Sequence, residues 1–143
     1  MATLKLFINE QITLDGDERN TRVLMDIEDV NYLDHRTMLL PSGSKVSIFN
    51  FDTDVSAGTF GEDKLKYARI TNHSTLIPVN VEISSSNNEV FNHRMNPLQS
   101  FYLPSSQVTG SVTDFTYDYI HSIYLQPSGS DNTARVEYYI ATS

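Results

Sequence analysis

The chain has 143 residues and no cysteine, which excludes disulfides, thiolate metal centres and cysteine nucleophiles. Eighteen acidic residues against ten basic ones give a net charge of −8, a field that repels phosphate backbones and anionic membrane surfaces. The basic residues are scattered singly, no apolar run approaches the ~20 residues that span a bilayer, and the start "MATLKLFINEQ" lacks the basic and apolar regions of a signal peptide. The expectation is one soluble domain over residues 1–143, made in the cytoplasm, with no nucleic acid or membrane as partner.

In chain order, the N-terminal ~20 residues are expected to form an extended arm of that domain. "RVLMDIEDVNYLDHR" places Val23, Met25 and Ile27 on one strand face. Its competing helical track (Leu24, Ile27, Asn31, Asp34) is not apolar, so strand is the better reading. "PSGS" (Pro41 to Ser44) separates "RTMLL" from "KVSIFNF" at a hairpin-like spacing. After "KYARITN", the polar group "TNHS" reads as a bend, because Asn72 and Ser74 can hydrogen-bond to nearby backbone. Val79, Val81 and Ile83 then alternate with Asn80 and Glu82, and Pro78 stands where a missing N–H costs least. "SSSNN" divides "VNVEIS" from "EVFNHR", and "MNP" precedes "LQSFYLP". "FTYDY" groups Phe115, Tyr117 and Tyr119 on one face. After Ile120 the phase passes to Ile123 and Leu125, as a bulge near His121 would produce. "QPSGSDN" links to "ARVEYYIA", where Ala134, Val136, Tyr138 and Ile140 oppose Arg135, Glu137 and Tyr139. About eight to ten short strands at this spacing predict an all-β antiparallel sandwich or barrel.

No residue earns a catalytic, metal or cofactor role. His35, His73, His93 and His121 show neither the i, i+4 nor the His-x-His spacing of a zinc site. "NHS" matches a glycosylation sequon but has no route to that machinery without a signal peptide. "DGDERN" has its glycine at the wrong place for a calcium loop, so Asp15 and Asp17, with Asp52 and Asp54, read as solvated acidic loops. The two "SGS" tripeptides lie beside prolines in turns, not on a strand-to-helix elbow. Tyr139 shares a polar face with Arg135 and Glu137, and Tyr102 with Ser100. Such rings either pack beneath a neighbouring segment or anchor a protein partner, which makes Tyr102, Arg135 and Tyr139 the candidate interface residues.

Three stretches resemble small virion structural proteins of tailed bacteriophages, especially the marine and cyanobacterial type. Lys66, Tyr67, Arg69, Ile70, Thr71 and Asn72 match the first motif of that family, Pro97, Ser100 and Phe101 the second, and Glu137, Tyr138, Ile140 and Ala141 the third. The glycine usual after the proline is Leu98 here, and the likeness runs from Ala57 to Ser143. The resemblance implies a non-enzymatic, jelly-roll-like β-sandwich in a virus particle. Its implied role is a capsid cement or decoration protein that binds the major capsid protein and copies of itself; a neck, tail or fibre component is the alternative. It supplies no catalytic residue, metal or cofactor. A carbohydrate-binding β-sandwich, with Tyr, Asn and Asp at loop tips, is the competing class.

Overall fold

The computed structural model describes residues 1–50, 64–109, 113, 116–129 and 131–143, and every regular element among them is a β-strand. These are β1 (Ala2–Leu14), β2 (Asp17–Val30), β3 (Tyr32–Leu40), β4 (Val46–Asn50), β5 (Leu65–Asn72), β6 (Val79–Ser85), β7 (Val90–Met95), β8 (Ser100–Leu103), β9 (Gln107–Val108), β10 (Asp118–Pro127) and β11 (Ala134–Thr142). Two antiparallel sheets form a β-sandwich. One has the order β3-β11-β5-β8; the other has the order β4-β10-β6-β7, with β9 paired to the start of β10.

Side-chain alternation explains the sandwich. Ala68, Ile70, Val136, Tyr138 and Ile140 leave the first sheet toward the centre, and Val79, Val81, Ile83, Ile123 and Leu125 meet them from the second. All of these are buried, and each larger one contributes roughly 1.5–3 kcal/mol over an exposed state. The bulge expected near His121 is present: the β10–β6 register shifts between Ile120 and Ser122. The extra residue lets Ile120 and Ile123 both point inward despite their odd spacing.

Two local expectations are corrected. "PSGS" does not close a hairpin, because β3 and β4 lie in different sheets and the turn carries the chain across the sandwich. Tyr117 and Tyr119 of "FTYDY" do not share a strand face: β10 begins only at Asp118, where its partner β9 has two residues, and Tyr117 precedes it and is exposed. Phe115, Asp52 and Asp54 lie outside the described residues.

The turn before β8 bears on the resemblance. Gln99 N–H donates to the Asn96 carbonyl at 3.2 Å, with Pro97 and Leu98 at the centre and Leu98 at φ +61°. That is type II geometry, whose third position favours glycine. Leucine therefore holds the glycine's conformation at a steric cost, while its side chain is largely exposed. Leu98→Gly should raise stability by about 1 kcal/mol, since strain is relieved and little packing is lost. Chemical denaturation checks this, and a variant less stable than the parent would refute the strain.

The N-terminal arm extends through Val30 as a two-stranded ribbon. Leu14 pairs with Asp17 around Asp15 and Gly16, at φ +51° and +87°, the two positive angles of a type I′ turn. Pairing runs back to Leu4↔Ile27, so one ribbon face collects Leu4, Leu6, Ile8, Ile12 and Leu14 with Val23, Met25 and Ile27. At its base the chain turns at Asp29 (φ +59°), and Asn31 N–H bonds to the Thr142 carbonyl at 2.8 Å. Of the 13 residues in β1 and 14 in β2, none is buried.

Candidate functional site

The outward face of the β3-β11-β5-β8 sheet gathers the polar and aromatic residues that alternate with the core. Register places His35, Tyr139, Arg69 and Tyr102 in one row across the four strands, and Thr37, Glu137, Thr71 and Ser100 in the next. The Thr71 and Ser100 hydroxyls bond to each other at 2.8 Å. Glu137 is the hub. Arg69 Nη2 donates to its Oε1, His35 Nε2 stands 3.6 Å from the same oxygen, and His73 Nε2 lies 3.4 Å from Oε2.

His73 reaches this hub because the bend after β5 is tightly tied. Asn72 Oδ1 accepts the Ser74 N–H at 3.0 Å, and Ser74 Oγ accepts the Arg135 N–H at 2.9 Å. The His73 N–H donates to the Arg135 carbonyl at 2.8 Å. The polar "TNHS" is thus turn chemistry, and Asn72 is fully buried, which closes the sequon in the folded chain. His93 lies elsewhere, with its ring 4.9 Å from that of Phe101.

Partial burial pushes the Glu137 carboxyl upward, but the His73 hydrogen bond, the Arg69 guanidinium and His35 outweigh it and hold the group below its ordinary value. It is therefore a fixed carboxylate at neutral pH, not a proton donor. Among the described residues no group of three or more His, Asp and Glu is arranged to hold a metal ion. A lowered folded pKa means a contribution to stability that is complete above the unfolded value of about 4.3 and disappears as pH falls through the lower folded one. Glu137→Gln should accordingly cost stability at neutral pH, with the gap to the parent closing below about pH 4. Melting curves from pH 7 to 3 test this; a gap independent of pH would show that charge is not what Glu137 contributes.

The three predicted interface residues share this face but not the same exposure. Tyr102 is 50% exposed and flanks Arg69. Arg135 is exposed two rows from Tyr139. Tyr139 is half-buried: its ring meets Tyr67 edge-on at 6.2 Å and His35 at 5.6 Å, and Leu4 and Leu6 of the ribbon line the crevice above it. Tyr67 is almost wholly buried in the same place, and burial pushes its hydroxyl pKa upward. Its oxygen has no hydrogen-bond partner. Sequence reasoning did not single out Glu137 and Arg69 as a pair, nor the ribbon as a cover. The available sign was the outward set Tyr67, Arg69, Thr71 in the same alternation that defined the core. Compared with known proteins, the sequence matches no family model and no curated protein.

Proposed function

We propose that this chain is a non-enzymatic structural protein of a tailed-phage virion, acting as a capsid cement or decoration protein that binds the major capsid protein and other copies of itself. One observation carries the reading. The three stretches that resemble phage structural proteins, far apart in sequence, fold as β5, β8 and β11, hydrogen-bonded neighbours in one sheet. The likeness thus covers one contiguous surface bearing Tyr102 and Arg135. The strand order supports the jelly-roll part of the reading. Counting β3 to β8, β10 and β11 as eight strands, the sheets run 1-8-3-6 and 2-7-4-5, and only β6 and β7 among the eight are joined within a sheet. A double Greek key would give the same order, which is why it supports the jelly-roll reading.

Virion proteins are made in the host cytoplasm, which suits a chain without cysteine. The test is mass spectrometry of purified particles from the phage that encodes this gene. A fixed ratio to the major capsid protein is expected; a few copies per particle would move the assignment to neck, tail or fibre. Absence from particles, with glycan binding by the purified domain, would sink the proposal in favour of carbohydrate recognition. Within the particle reading, Tyr102→Ala should weaken attachment by ~2 kcal/mol if this ring is an anchor, while leaving the fold intact.

A further inference from the structure

One face of the β1–β2 ribbon is apolar from Leu4 and Ile27 to Ile8 and Val23, and beyond that it sets Ile12 and Leu14 among Glu10, Thr21, Arg19 and Asp17; the body of the protein uses only its base. Leu4 and Leu6 sit over Tyr67, Arg69 and Tyr139, whereas Ile12 and Leu14 remain 55% and 51% exposed and Val23 41% exposed. A two-stranded ribbon in water is marginal without something packed on its apolar side.

We infer that the distal half of the ribbon docks on a second copy of this chain, on the part of the outer sheet face that its own ribbon leaves uncovered. Charge selects that surface. The ribbon's outer half carries Glu10, Asp15, Asp17 and Glu18 against Arg19 and Arg22. The uncovered end of the sheet face presents Arg135 beside Leu39, its exposed register partner on β3, while His73 on the adjoining bend is turned to Glu137. Ribbon packed on ribbon would bring two acidic tips together, while ribbon on sheet joins acidic to basic and leucine to isoleucine. The same apolar face already accepts this kind of sheet surface at its base, next to Tyr139. Two different patches meet, so the contact is heterologous and propagates as a ring or a filament. This deepens the self-association in the function proposed above, and its test needs no virus particle.

The experiment uses two variants of the full chain. Ile12→Asp with Leu14→Asp disables the ribbon; Leu39→Asp with Arg135→Glu disables the sheet face. All four positions are exposed, so circular dichroism should match the parent for both. In sedimentation velocity the parent should assemble beyond a dimer, and each variant alone should associate about 30-fold more weakly or not at all. Mixed in equal amounts they should form a heterodimer and stop there, because only one intact ribbon faces one intact sheet. A monomeric parent overturns the inference. So does a sheet-face variant that still assembles by itself, since that would mean ribbons pair with ribbons. Solution assembly without virion incorporation would leave the inference standing and remove the phage assignment; the converse result would do the opposite.

Discussion

Tyr138→Ala should cost 3–5 kcal/mol and lower the melting temperature by about 10 °C or more. The ring is 5% exposed, on the core side of the central strand β11, between Val136 and Ile140. Removing it opens a cavity where both sheets converge, and a pleated sheet whose neighbours are hydrogen-bonded on both sides cannot collapse to fill it. A second, smaller loss is polar. The Tyr138 hydroxyl donates to Asp34 Oδ2 at 3.1 Å, and Arg36 Nε holds the other carboxylate oxygen at 2.8 Å. Tyr138→Phe isolates that part and should cost only about 1 kcal/mol. The next residue is the contrast. Tyr139 is half-buried under Leu4 and Leu6, so Tyr139→Ala removes a seat for the ribbon and leaves the core alone. About 1–2 kcal/mol is expected there, because the ring is neither fully buried nor replaced by a void in the interior. Denaturant melts of the three variants decide this. Equal destabilisation by Tyr138→Ala and Tyr139→Ala would mean that the two faces of β11 do not divide into core and cover as described.

The alternation in "ARVEYYIA" was enough to assign those two faces from sequence, since period 2 leaves one choice per residue and Val136, Tyr138 and Ile140 are all hydrophobic. The same logic placed Val79, Val81 and Ile83 inside. What alternation could not give is the order of strands in a sheet. β11 inserts between β3 and β5, and this alone brings Glu137 to His35, Arg69 and His73. No local pattern encodes neighbours more than sixty residues away. "PSGS" misled for the same reason: its spacing suits a hairpin, but β3 and β4 bury their apolar faces from opposite sheets. The ribbon was legible and passed over. Asp15-Gly16 between alternating apolar residues is a strong hairpin sign, but the neighbouring acids also suit a solvated acidic loop, and that reading hides the hairpin. The exposure of its far end has no counterpart in the sequence, because Ile12 and Leu14 look like any buried pair until the body of the sandwich is seen to end short of them.

Asn72 should prove the most consequential polar residue of the fold. It is fully buried, and its amide joins three separate segments. Nδ2 donates to the Ile77 carbonyl at 2.8 Å, on the approach to β6, and lies 3.3 Å from the Asn96 carbonyl in the turn before β8. Oδ1 accepts the Ser74 N–H, and the backbone N–H of Asn72 bonds to the Gln99 carbonyl at 2.9 Å. Asn72→Ala deletes the side-chain bonds and leaves their backbone partners with no replacement, at roughly 1–3 kcal/mol for each group left unsatisfied. A total loss of about 3 kcal/mol is expected, with His73 and Ser74 freed from the outer face as a consequence. Asn72→Asp is the sharper test. It keeps an acceptor for Ser74 but turns a second oxygen toward two carbonyls, so the introduced carboxyl is favoured in its neutral form and its folded pKa rises above the unfolded value. Stability lost to that ionisation is regained as pH falls through the raised pKa, so the deficit against the parent should shrink on acidification. Paired melts at pH 7 and pH 5 would read this directly. A deficit that is the same at both values, or an Asn72→Ala variant as stable as the parent, would show that the amide does not tie these three segments together.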